Sequence, residues 1–254
     1  MLGLERRQEI MQRLRVNRKV YVSELAKAFK VTEETIRRDL EKLEAQDLLQ
    51  RSYGGAVLLE HTSEEVPFVK RSSLNNASKA KIAETAENLI QDGDTIMVDS
   101  STTCEILLQR LRSLQRHITI ITNSIHLMEE FASQATPFTV VCTGGVIRQF
   151  SYALTGAMAT DCLKQYYVDY ALISCKALDL EKGIMESNES ESRIKRLMIE
   201  HAEKAILLAD HTKFNRTAFV HCADICDVSC IVTDTNPGDT WKNALFENDV
   251  QLLY

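Results

Sequence analysis

The sequence predicts an α/β chain in two parts: a small helical head that ends in a β-hairpin, and a larger domain built on a mostly parallel sheet. Three observations lead there. Beyond residue 79, short runs rich in Val and Ile alternate with helical patterns. The first 59 residues instead hold three short amphipathic patterns and a Gly-Gly turn flanked by apolar residues. Between them, residues 60–78 are polar, contain Pro67 and keep no sustained period, as a linker does. The expected boundaries are therefore 1–59, 60–78 and 79–254.

Within the head, residues 4–14 place Leu4, Ile10, Met11 and Leu14 near one helical face. Ser23 is placed to cap a second helix, with Val22, Leu25, Ala26 and Phe29 turned inward. Thr32 is placed to cap a third, whose Ile36, Leu40 and Leu43 are spaced for one buried stripe. That stripe leaves Thr32, Glu33, Thr35, Arg37 and Arg38 outward. After it, "LLQRSYGGAVLL" reads as a hairpin around Gly54 and Gly55, with Arg51, Ser52 and Tyr53 on the approach. Helix, turn, helix and wing in this order make a winged helix-turn-helix, whose third helix offers guanidinium groups to base edges and phosphates of double-stranded DNA.

Charge agrees with this division. Residues 1–59 carry 12 Lys+Arg against 9 Asp+Glu, whereas the remainder carries 18 against 27, within a whole-chain net of −6. The head is the basic end, modestly so.

In the larger domain, a helix restarts at about Lys79 and stops near Gly93. The strand runs "TIMVD", "ITIIT", "FTVVC", "YALISC", "AILLAD" and "CIVTD" follow, separated by helical patterns. In sheets of this kind ligands gather beyond the carboxyl ends of the strands, and several polar motifs fall there. Asp99 and the hydroxyl run Ser100, Ser101, Thr102 and Thr103 precede a helix, an arrangement suited to an anion such as phosphate. Asn123 and Ser124, Gly144 and Gly145, Arg148, Lys176 with Asp179, and Lys213 after Asp210 lie beyond other strands or follow them closely. Convergence of hydroxyls, amides and lysines on one edge predicts a site for a phosphorylated sugar.

Composition excludes several alternatives. The 254 residues exceed the usual single-domain size of about 100–150, and 44% hydrophobic with 26% charged residues suits an ordinary globule with a real core. No apolar run approaches the ~20 residues of a membrane helix, and the N-terminus lacks a secretory segment, so a cytoplasmic chain without a membrane partner is expected. Seven scattered cysteines favour reduced thiols. The set most like a metal site is His221, Cys222, Cys226 and Cys230; its four-residue steps fit a helix, but its end reads as a strand, so neither metal nor cofactor is expected.

The segment "VSELAKAFKVTEETIRRDLEKLEAQDLLQRSYGGAV" closely resembles the DeoR family of bacterial transcriptional regulators, whose signature centres on "TIRRDL" and a Gly-Gly wing. Residues 79–234 resemble that family's C-terminal sensor domain. The resemblance implies a fold similar to ribose-5-phosphate isomerase and the CoA transferases, with operator DNA and a sugar phosphate as partners. The family's "D-S-G-T-T" loop stands here with Ser101 in place of the glycine, while "TNS", "GG", "DHTKFN" and "VTD" match as they stand. "SSTT", "SCKALD" and "MESNE" resemble the subset that controls deoxyhexose catabolism.

Three function classes follow. The first is a regulator, expected to act as a repressor, that binds a sugar phosphate and reorients its DNA-binding heads as a homodimer or homotetramer. The second is an isomerase-like enzyme carrying a DNA-binding head, with Asp179 and Glu189 as available carboxylates and Lys176 as electrophile. The third is a DNA-binding protein whose back domain only oligomerises. A complete winged helix, and the tendency of carboxylates near a sugar to bind its hydroxyls, favour the first, with Asp179 and Glu189 as effector contacts and no catalytic residue.

Overall fold

The computed structural model describes residues 2–17, 19–46, 48–58, 62–133 and 135–254. It divides into two compact units, Met1–His61 and Thr62–Tyr254.

The first unit runs α1 (Gly3–Asn17), β1 (Lys19–Tyr21), α2 (Val22–Phe29), α3 (Glu33–Glu44), β2 (Leu49–Ser52) and β3 (Gly55–Leu58). Ile10, Met11, Leu14, Leu25, Ile36, Leu40 and Leu43 close one core with Val20, Leu49 and Ala56. Leu4 is 63% exposed instead of buried; at the helical turn angle it stands about 75° away from the mean direction of the three buried α1 residues. Thr32 caps α3 as expected, its hydroxyl accepting from Thr35 N–H at 3.3 Å. Ser23 does not cap α2. That helix starts one residue earlier, at Val22, because β1 runs straight into it and pairing with Gly55 keeps Tyr21 extended. The antiparallel order β1-β3-β2 turns the predicted hairpin into a three-stranded wing. Gly55 is obligatory there, since a Cβ would lie 2.0 Å from the Val20 carbonyl oxygen.

The second unit begins inside the stretch expected to be a linker. After Pro67 comes α4 (Phe68–Ser73), then α5 (Asn76–Ala86). Phe68 is buried against His126 and Tyr152, with ring centroids 5.0 and 5.3 Å away, and its N–H donates to the Phe150 carbonyl. One aromatic anchor in a six-residue helix is too short a signal to show as a period. Residues 59–61 of the expected boundary lie outside the described residues.

The chain continues β4 (Thr95–Val98), α6 (Thr102–Ser113), β5 (Thr119–Thr122), α7 (Ile125–Ser133), β6 (Thr139–Cys142), β7 (Val146–Arg148), β8 (Ala153–Thr155), α8 (Ala157–Leu163) and β9 (Val168–Ile173). It ends with β10 (Ala177–Asp179), β11 (Gly183–Glu186), α9 (Glu189–Glu200), β12 (Ala202–Leu208), β13 (Val220–Ala223), β14 (Cys230–Val232), α10 (Asp239–Glu247) and β15 (Gln251–Leu253). Seven strands form one parallel sheet, β15-β14-β12-β9-β4-β5-β6. Alternate residues serve opposite faces. Ile96, Val98, Leu172, Ile206 and Leu208 pack with α5, α6 and α7, whereas Met97, Ala171, Ile173, Ala205 and Leu207 pack with α8, α9 and α10. Burial on both faces is why these strands read as unbroken apolar runs.

The chain builds β4, β5 and β6 in one direction and β9, β12, β14 and β15 in the other. The reversal point lies between β4 and β9, and a crevice is expected beyond their carboxyl ends.

Candidate functional site

On the head, the exposed face of α3 carries Arg37 and Arg38, each in an exposed ion pair one turn back along the helix, with Glu33 at 3.2 Å and Glu34 at 3.5 Å. Such pairs are worth little in water and exchange readily for a phosphate or base edge. Thr32 and Thr35 bond to each other through their hydroxyls at 2.9 Å. Arg51 differs from expectation: its guanidinium is held by Glu44 at 2.7 Å and Glu41 at 2.8 Å, so the wing arginine is tied to α3 instead of projecting. The Glu44 carboxyl is lowered, chiefly by the hydrogen bond it accepts from the Arg51 N–H. Ser52, Tyr53 and Gly54 are exposed at the wing tip, Gly55 is buried behind it, and Ser23 is exposed in the first turn of α2. Arg6 and Arg7 serve the fold, reaching the buried Asp39 of α3 at 2.5 and 3.3 Å.

In the second unit, the loop from β4 to α6 lies at the reversal point. Asp99 is buried and turned into the protein: one oxygen accepts from Ser101 N–H at 2.9 Å, the other from Ser174 N–H at 2.9 Å and Lys195 Nζ at 2.6 Å. Lys195, for which the sequence carried no signal, also reaches Glu186 at 2.8 Å and the Ser174 carbonyl at 2.6 Å. Burial alone raises the Asp99 carboxyl, but the Lys195 charge and these hydrogen bonds together hold it below its ordinary value. Burial pushes Glu186 up, with Lys195 opposing and Glu191 and Asp99 adding to the rise. Asp99 is thus the staple that shapes the loop, with both carboxylate oxygens accepting hydrogen bonds from the protein.

The loop itself presents donors. Ser101 caps α6 by accepting from Cys104 N–H at 3.3 Å. Among the described residues, the hydroxyls of Ser100, Thr102 and Thr103 and the backbone N–H groups of Thr102 and Thr103 take no hydrogen-bond partner, the N–H groups as at any helix N-terminus. Lys79 of α5, the helix packed against α6, lies buried; its Nζ donates to the Arg71 carbonyl at 2.5 Å. Burial drives its pKa down to about 8; Asp210 and Glu105 pull upward, and Lys213 and Arg71 push further down. Lys213 stands one turn after Asp210, its N–H donating to the Asp210 carbonyl at 3.0 Å. Asn75 joins through Asp210, at 3.4 Å. Lys79 shares the i, i+3, i+4, i+7 stripe of α5 with the buried Ile82, Ala83 and Ala86, and a lysine on an apolar stripe is the signal in the sequence that could have pointed here.

Asn123 and Ser124 stand at the end of β5, next to Val98 and the loop through the β4–β5 register. Asn123 donates to the Leu154 carbonyl at 3.0 Å, and its buried side-chain oxygen has no partner. Ser124 caps α7. Gly144 and Gly145 adopt positive φ, and at Gly145 a Cβ would lie 2.4 Å from the Thr155 carbonyl oxygen, so Gly145 answers to the hairpin packing.

Other expected contacts are engaged elsewhere. Arg148 pairs with Glu65 and with Glu191, the latter at 3.0 Å, and its charge is already compensated. Asp179 caps the β10–β11 turn, accepting from Glu181 and Lys182 N–H groups, both at 3.1 Å. Glu189 is exposed on the first turn of α9. Lys176 is half-buried, with its N–H on the Met185 carbonyl. The His and Cys set is divided among other tasks: His221 pairs with Asp224 at 3.0 Å, Cys222 faces the Ser192 carbonyl and Cys230 is buried in β14. Burial raises the Cys222 and Cys230 thiols to about 11.

A winged helix followed by a larger parallel α/β unit is the architecture of a DNA-binding regulator with a second domain. Comparison with known proteins then names the family. A model for the DeoR C terminal sensor domain matches residues 74–235, and one for the DeoR-like helix-turn-helix domain matches residues 6–62. The HTH-type transcriptional regulator YulB of Bacillus subtilis is 36% identical, over 99% of this chain and 96% of its own length. The putative aga operon transcriptional repressor of Escherichia coli O157:H7 is 35% identical, over 93% and 88%. The glycerol-3-phosphate regulon repressor of Escherichia coli K12 is 30% identical, over 93% and 94%. Among solved structures, ribose 5 phosphate isomerase A of Neisseria gonorrhoeae overlays with a TM-score of 0.40 at 14% identity, over 54% of this chain and about half (52%) of that one. The chain belongs to the DeoR family, and it is a DNA-binding transcription regulator of the repressor type. No described helix is long and apolar enough to cross a membrane.

Proposed function

We propose that this chain represses a carbohydrate operon and is released or recruited by a phosphorylated sugar bound where α6 begins. The observation that carries the reading is the start of α6, where the Thr102 and Thr103 N–H groups take no partner among the described residues, on a helix packed against α5, whose buried Lys79 ammonium is held by a single carbonyl. A helix N-terminus, hydroxyls and two lysines form a cradle for a dianion. Relatives named for an aga operon and a glycerol-3-phosphate regulon support a carbohydrate or phosphorylated metabolite as signal. Within that class, a deoxyhexose-pathway phosphate accords with "SSTT", "SCKALD" and "MESNE". Operator binding is assigned to Arg37 and Arg38 of α3, with Ser52 and Tyr53 of the wing, acting from at least a dimer assembled through the second unit.

The experiment is Thr102→Asp. A carboxylate at the first residue of α6 faces the phosphate with like charge while keeping a good first-turn helix residue. The variant should bind operator normally and lose its response to sugar phosphates in a titration of operator release or recruitment. A normal response would assign the hydroxyl loop to helix capping alone. On the head, Arg37→Ala or Arg38→Ala should weaken operator binding, by about 1–3 kcal/mol where the arginine reads a base. A gel-shift titration that finds both variants at wild-type affinity would remove α3 as the reading helix.

A further inference from the structure

Two helices of the second unit bring together a set of side chains that the repressor reading leaves unused. Glu105 lies in the first turn of α6, and His126 and Glu130 stand one turn apart on α7. One ligating atom from each lies within 4.8 Å of the others, and His126 Nε2 is 3.0 Å from Glu105 Oε1. Both carboxylates are largely covered, with 12% and 11% of their side-chain surfaces exposed, whereas the imidazole is 36% exposed and open to solvent. Gln109, one turn beyond Glu105, donates its amide to both carboxylates, at 3.4 and 3.3 Å, and aims them at a common point. Phe68 of α4 packs on the imidazole with centroids 5.0 Å apart, which fixes the ring.

We propose that Glu105, His126 and Glu130 bind one divalent transition-metal cation through the imidazole Nε2 and two carboxylate oxygens, with water completing the coordination. Imidazole with carboxylate is the donor set of Zn²⁺, Co²⁺, Mn²⁺ and Ni²⁺, and contact distances of about 2.0–2.2 Å require only that the three atoms close slightly around the ion. The metal takes the Nε2 lone pair, so any proton on that nitrogen leaves on binding. Arg112, 3.2 Å from the Glu130 Oε1 atom, and Gln109 remain as outer partners that orient the carboxylates. No single helix carries all three ligands, which is why the sequence leads to no expectation of a metal here.

Co²⁺ is the probe, because exposed Cys142 and Cys226 would betray themselves by thiolate-to-cobalt charge transfer. Added to the full chain, Co²⁺ should give a saturable ligand-field spectrum at one equivalent, without thiolate charge transfer and displaced by Zn²⁺. His126→Gln and Glu130→Gln should each weaken it more than about tenfold, the low end of what an outer partner alone is worth. Failure to saturate at one equivalent, a thiolate band, or unchanged affinity in a folded His126→Gln chain would overturn the assignment. If His126→Gln does not fold, the affinity of Glu130→Gln and the wild-type spectrum decide between the same two outcomes.

Discussion

Lys195→Met should destabilise the chain by about 3–5 kcal/mol at neutral pH, the usual consequence of removing one partner from a buried ionic group. Lys195, Asp99 and Glu186 are all buried, at 6%, 1% and 5% exposure, and the lysine is the cation facing both carboxylates. Methionine matches its length and leaves two negative charges without compensation. The pH dependence separates charge from packing. In the wild type Asp99 is held below its unfolded value, so its stabilisation is full above that value and fades as pH falls through the folded one. Glu186 has the opposite sign: raised in the fold, it favours folding below its unfolded value, and that contribution is lost as pH rises through the folded value. Without Lys195 both carboxyls should titrate upward, so the deficit should narrow as pH falls below about 4, where an unfolded carboxyl also protonates. Urea unfolding at pH 7 and in acid measures this. A deficit that is the same at both would assign the loss to packing. Adding Asp99→Asn and Glu186→Gln to Lys195→Met should recover part of the loss, because no buried charge then remains.

The same lysine illustrates where sequence reading stops. Its partners come from β4, β11 and β9, and no spacing rule links position 195 to 99, 186 and 174. The central runs of β4, β9 and β12 were legible because burial on both faces removes polar residues from them; β7, β8, β10 and β15, three residues each and outside an apolar run of Val and Ile, carry too little pattern. The loop at Ser100 was legible for a related reason, since a strand end followed by hydroxyls at a helix start is a local arrangement. Charges at Arg51, Arg148 and Asp179 were legible as charges, but their partners were not. Glu44 lies seven residues from Arg51 and Glu65 lies 83 residues from Arg148, and only tertiary packing decides that these groups face each other.

Lys79→Met should reduce affinity for the sugar phosphate about 10- to 150-fold, as expected from losing a charged hydrogen bond worth about 1.5–3 kcal/mol, while leaving the ligand-free chain folded. The two halves of that result arise from one fact. Lys79 is 5% exposed and its pKa falls to about 8, chiefly through burial, so the ligand-free fold penalises the ammonium. The penalty is full below about pH 8 and is relieved as pH rises toward the unfolded value of about 10.5, so methionine removes a cost at neutral pH. The Arg71 carbonyl that Lys79 holds also accepts from Leu74 N–H at 3.2 Å and is not orphaned. A bound phosphate reverses the balance by pairing with the ammonium. Because the phosphate becomes a dianion above about pH 6 and the free lysine loses its proton above about 8, affinity should peak between those limits. Above pH 8, binding should take up a proton, visible as a dependence of the calorimetric heat on the ionisation enthalpy of the buffer. The Lys79→Met chain should show neither that dependence nor the decline in affinity above pH 8. Equal affinity in the two chains, with no buffer dependence in either, would remove Lys79 from the site and leave the phosphate to Lys213 and the helix N-terminus.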